Sequence, residues 1–144
     1  MKNILVFLSL TLAAFAASPD SGAIVSAYQQ AHAKKDLEGL MALVEFSPKT
    51  PPEIYEQKKA SFLTQLSFVV VGVEVASLTE EDEKTLAGLR KVYDPTLEPK
   101  AKLVVLFDES KQEGRAKSGR NVSFLGIKDG AYRILTAKKK EPNQ

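Results

Sequence analysis

The stretch NVSFLGIKDGAYRILTA, residues 121–137, constrains the chain more than any other. Asp129 and Gly130 stand between two runs of alternating apolar residues, and Asp-Gly tolerates the two positive φ angles that a two-residue hairpin turn needs. Pairing Lys128 with Ala131 then fixes every other partner. Leu125, Ile127, Tyr132 and Ile134 fall on one face and Val122, Phe124 and Leu135 on the other, because successive strand side chains alternate. A slip of one residue would invert both faces, so the pattern predicts a firmly registered antiparallel hairpin at the C-terminal end of the fold.

Two further segments read as strands. Lys102 to Phe107 alternates Leu103, Val105 and Phe107 with Val104 and Leu106. Phe68 to Leu78, FVVVGVEVASL, sets Val69, Val71, Val73 and Val75 against Phe68, Val70, Gly72, Glu74 and Ala76. The all-valine side is the expected core face, with Glu74 directed to solvent or an interface. Between these strands, TEEDEKTLAGLRK from Thr79 opens with acids and ends on cations, which suits a short dipole-matched helix or a structured loop. Pro95 and Pro99 mark an irregular connection after it, and the polar Lys111 to Gly119 segment reads as a loop or twisted hairpin.

The helices come first in the chain. Ile24, Tyr28 and Ala31, with Ala27 beside them, recur at helical spacing after Ser21, the expected N-cap. Leu37, Leu40, Met41 and Val44 repeat the pattern, and Lys34-Lys35-Asp36 between the two marks a corner, with cations ending one helix and an acidic cap starting the next. Asp36 is then bound to the amides of Glu38 or Gly39 and is no partner for His32. Thr50-Pro51-Pro52-Glu53 announces a third helix with Thr50 as N-cap and Glu53 closing a capping box. Its apolar stripe is Tyr55, Phe62 and Leu66, aided by Leu63.

Met1-Lys2-Asn3, the apolar run Ile4 to Ala16 and the small residues of Ala14-Phe15-Ala16 read as an export signal occupying residues 1–16 and cleaved before Ala17. The run is shorter than the roughly 20 residues of a spanning helix, so no membrane span is expected in the mature protein. Residues 17–137 are the expected single domain, and 138–144, with Lys138-Lys139-Lys140, a basic flexible tail. The export signal implies the periplasm or the exterior as the expected location, and the absence of cysteine excludes a disulfide framework and a lipidated N-terminus there. A formal charge of only +2, with both signs interspersed, gives no nucleic-acid footprint. A single histidine leaves no histidine-rich metal site and no spare base, so neither a metal nor another cofactor is expected.

YQQAHAKKDLEGLMALV near the mature N-terminus and FLGIKDGAYRI near the C-terminus give the chain a resemblance to the nuclear-transport-factor-2-like superfamily, which includes ketosteroid isomerase and scytalone dehydratase. The resemblance implies an α+β fold in which three N-terminal helices pack on a curved, mostly antiparallel β-sheet, forming a cone with a pocket, often in a dimer. It also implies a small apolar ligand, with Tyr28, His32, Tyr55 and Phe62 as candidate ligand-binding residues. Tyr28 matches the helix-one tyrosine that polarises a ketone in the isomerases. The chain departs from those enzymes after Val44, where EFSPKTPPEIYE replaces a strand bearing the general base, and no residue matches the second acid. The expected function is therefore a non-catalytic binding or scaffold module, with no catalytic residue assigned. The alternative is an isomerase, dehydratase or hydrolase using Tyr28. Three helices cover one face of a sheet, so the second apolar face is expected to be buried in a homodimer.

Overall fold

The computed structural model describes residues 19–108 and 118–142. The expected export signal therefore lies outside the described residues, as does most of the Lys111 to Gly119 connection. In chain order the elements are α1 (Ser21–Ala33), α2 (Leu37–Met41), α3 (Pro52–Leu66), β1 (Val69–Ala76), α4 (Glu80–Leu89), β2 (Tyr93–Pro95), β3 (Ala101–Asp108), β4 (Ser118–Lys128), β5 (Ala131–Ile134) and β6 (Ala137–Lys139). The architecture is α+β, with helices packed on a curled antiparallel half-barrel of order β1-β3-β4-β5 and a second, two-stranded sheet of β2 and β6. The β4–β5 hairpin has the expected register, Lys128 opposite Ala131, and both turn residues are left-handed, Asp129 at φ 52° and Gly130 at φ 78°.

The helix ends show which local signals prevail. Asp20, not Ser21, caps α1 by accepting from the Gly22 N–H at 2.8 Å; a carboxylate one position earlier competes successfully with the hydroxyl. The corner forms as the sequence implies. Lys35 takes a left-handed φ of 55°, and Asp36 caps α2 by accepting from the Gly39 N–H at 2.9 Å. The capping box expected at Thr50 does not form. The Thr50 hydroxyl instead accepts from the Ser47 N–H at 2.9 Å, and α3 starts at Pro52 with extended Pro51 as its N-cap. The reciprocal box occurs at α4, where Thr79 and Asp82 satisfy each other's backbone amides.

β1 corrects the all-valine face. Val70 lies opposite Phe107 and Gly72 opposite Leu106, so Val71 is an extra residue in a bulge. Before the bulge the even residues face inward, with Phe68 buried and Val70 against the core; after it the odd residues Val73 and Val75 do so. Val69 and Val71 are consequently 53% and 62% exposed. Glu74, opposite Val104, is exposed as expected.

The core lies between α1–α3 and the inner face of the sheet, where Tyr28, Phe62, Leu40, Leu103, Val105, Leu125 and Ile134 are all below 2% exposed. The outer face is partly covered by α4. Lys102, which faces outward on β3, donates to Asp82 of α4 at 2.6 Å, and Leu86 of the same helix is buried. The chain after α2 is laid along β5 by backbone bonds from Glu45 N–H to the Ile134 carbonyl and from Ile134 N–H to the Leu43 carbonyl. Glu45 seals this junction, accepting from Lys128 at 2.6 Å and from Arg133 Nε at 2.8 Å, and both cations hold its carboxyl below the usual range. Pairing of β6 with β2 carries the folded unit through Lys139, past the boundary expected at residue 137.

Candidate functional site

Tyr28, His32 and Phe62 belong to the interior. The helical spacing of Tyr28 and His32 points both rings from α1 toward the C-terminal turn of α3, where Gln65 receives them. The Tyr28 hydroxyl donates to Gln65 Oε1 at 2.7 Å, Gln65 Nε2 donates to the Ser61 hydroxyl at 3.0 Å, and His32 Nε2 meets the Gln65 carbonyl at 2.8 Å. A carbonyl only accepts, so Nε2 carries the imidazole proton. The rings of Tyr28 and His32 stack with centroids 6.1 Å apart, and His32 also lies 6.4 Å from the ring of Phe107.

This network is chemically closed. Tyr28 is 1% exposed, its proton is bound to a neutral amide, and burial pushes the phenol well above its ordinary range. No buried side-chain nitrogen or oxygen among the described residues lacks a hydrogen-bond partner, so each buried polar atom of the hub is already engaged within the protein. His32 lines a surface hollow beside Gln29 and Val70 and is 8% exposed. Tyr55 is on the outside of α3, 43% exposed, with its ring 5.0 Å from that of Phe46. The four residues thus divide into an interior trio and one surface tyrosine. No group of three or more potential metal-ligating His, Asp or Glu side chains occurs among the described residues.

The cavity with the character of a ligand site lies elsewhere, between α3 and α4, and encloses about 320 Å³. Its origin is the short β5. That strand pairs with β4 only from Leu125 to Lys128, after which Thr136 turns away to bond Thr96 and Ala137 joins β2. The edge of β4 upstream of Leu125 is left without a strand neighbour on that side among the described residues. Leu135 N–H still reaches the Phe124 carbonyl at 3.0 Å, which shows that the even residues of β4 direct their peptide groups to this edge. The Phe124 N–H and both backbone groups of Val122 therefore point into the open side of the ladder without a backbone partner among the described residues.

Apolar walls flank this edge. Ile54 comes from α3, Leu86 and Leu89 from α4, and Leu135 from the turn beyond β5. Polar groups interrupt these walls: Gln57, Lys58 and Ser61 on α3, Arg90 after α4, Tyr93 and Asp94 on β2, Ser123 on β4 and Thr136 beyond β5. Arg90 is engaged by Glu98 at 3.1 Å, and Asp94 has Lys138 as its cross-strand neighbour. Lys58 has no such acid among the described residues. Its ammonium sits 5.8 Å over the ring of buried Phe62, and withdrawal from water lowers its pKa. The size and the combination of aliphatic walls with polar side chains are those of a small-molecule pocket.

Sequence reasoning passed over this cleft. Ile54, Lys58 and Ser61 follow i, i+4, i+7 spacing beside the Tyr55–Phe62 stripe, a weak sign of a second functional face on α3. No family model, curated protein or solved structure matches the chain.

Proposed function

We propose that the protein is an exported, non-catalytic binding module of the nuclear-transport-factor-2-like kind, holding a small, largely apolar ligand in the cleft between α3 and α4. The observation that carries the reading is the contrast between two spaces. The interior of the half-barrel is filled by Tyr28, Phe62 and Leu103, whereas the cleft is open and walled by aliphatic side chains. Burial of ligand surface against Leu86, Leu89 and Leu135 supplies affinity at roughly 25 cal/mol per Å² before association costs.

The catalytic alternative requires the Tyr28 hydroxyl to meet a substrate. Its engagement with Gln65 and its burial argue for a packing role instead. The same proposal includes self-association through the outer face of the sheet. Val69, Val71 and Leu106 remain exposed there, forming an apolar surface at the β1 side. Native mass spectrometry of the purified protein tests both parts. The expected result is a dimer carrying a co-purified small molecule that mild activation releases. A ligand-free monomer at micromolar concentration would count against the reading.

A further inference from the structure

The cleft has an electrostatic asymmetry that specifies more than an apolar occupant, and the inference rests on the reading of the cleft as a ligand site. Three charged side chains line it: Lys58, Arg90 and Asp94. Arg90 is neutralised by Glu98, and Asp94 lies opposite Lys138 in the β2–β6 ladder. Lys58 alone has no carboxylate within ion-pair distance among the described residues. Its ammonium lies 5.8 Å from the centroid of the Phe62 ring and the residue is half-buried, so part of its hydration is lost and a counter-charge would offset that loss.

The neighbouring backbone is biased the same way. The N–H groups of Val122 and Phe124 at the free edge of β4 are donors without backbone partners among the described residues, against one such acceptor, the Val122 carbonyl, and Ser61 lines the same cleft. Donors and one cation without an acid partner, with Leu86, Leu89 and Leu135 along the walls, match a ligand with an anionic head and an aliphatic tail. We propose that the cleft binds a medium-chain carboxylate, its head at Lys58 and the β4 edge and its tail between α3 and α4.

Isothermal titration of the purified protein with decanoate, decanol and decylamine tests the assignment. Decanoate is expected to bind at least about tenfold more tightly than either analogue, in line with one charge-assisted contact. Lys58→Met, which keeps the aliphatic stem, should remove that preference by weakening decanoate at least about fivefold more than decanol. Lys58→Arg should retain most of the preference. Leu89→Glu, at a position 52% exposed and therefore tolerant of charge, should weaken decanoate more than decanol by placing a like charge on the wall. Equal binding of decanoate and decanol, or tighter binding of decylamine, would overturn the anionic head and leave the apolar cleft standing. Failure of all three probes to bind would overturn the cleft reading itself.

Discussion

At the scale of single residues, two glycines make opposite predictions. A Cβ on Gly126 of β4 would lie 2.3 Å from Leu97 Cβ and 3.0 Å from the Glu98 carbonyl, so Gly126→Ala must push the 97–98 segment away from the sheet. A loss of about 1–3 kcal/mol is expected from such overpacking, read as a lower urea midpoint. Gly88 in α4 has nothing within 4 Å of a built Cβ, and Gly88→Ala should raise stability by about 0.5–1 kcal/mol through helix propensity. Tyr28→Phe tests the hub. It leaves Gln65 Oε1 buried without its donor and should cost about 1–3 kcal/mol with little change elsewhere. The sequence marked Tyr28 and His32 through their spacing and freed His32 from Asp36. It held no sign of Gln65, because a glutamine on a helix face carries the same pattern whether it binds solvent or a buried phenol.

At the scale of elements, α4 depends on one acid that serves two partners. Asp82 closes the capping box with Thr79 and pairs with Lys102 on the outer face of the sheet. Lys102 and the Thr79 amide hold the Asp82 carboxyl down at about 2, against an ordinary value of 3.8. A carboxylate whose folded pKa is depressed contributes stability that is fully present above the ordinary value and is lost as pH falls through the folded one. Thermal unfolding of the wild type should therefore show a decline as pH drops from 3.8 toward 2, and Asp82→Asn should show a shallower decline over that window from a lower plateau. Glu45, held down by Lys128 and Arg133, adds a slope of the same sign, so the double substitution with Glu45→Gln should flatten the curve further. The strands show what local pattern can and cannot carry. The Asp129-Gly130 hairpin was readable because turn chemistry and alternation agree. The β1 face was not, since five valines within the strand give no local sign of where a bulge inserts; Val71 is displaced by pairing with β3, a long-range fact.

At the scale of the whole molecule, helices first and strands afterwards was enough to specify an α+β architecture, and the outer sheet face was recognisable as one needing cover. The sequence left open that α4 supplies part of that cover, because acids followed by sparse leucines fit a loop as well as a helix. The remaining patch is smaller than a bare sheet face. If it is the self-association surface, Leu106→Lys should convert the proposed dimer to monomer in light scattering, while changing the stability of the monomer by no more than about 0.5 kcal/mol, as exposed substitutions usually do. The cleft was not legible, since it arises from β5 leaving β4 early and from two helices distant in sequence. Whether that cleft, and not the filled half-barrel, receives a ligand is most directly tested by amide chemical-shift mapping of the protein titrated with decanoate. The account predicts that the shifts cluster at Ile54, Lys58, Leu86, Leu89, Val122 and Phe124; shifts centred on Tyr28, Phe62 and Leu103 would contradict it.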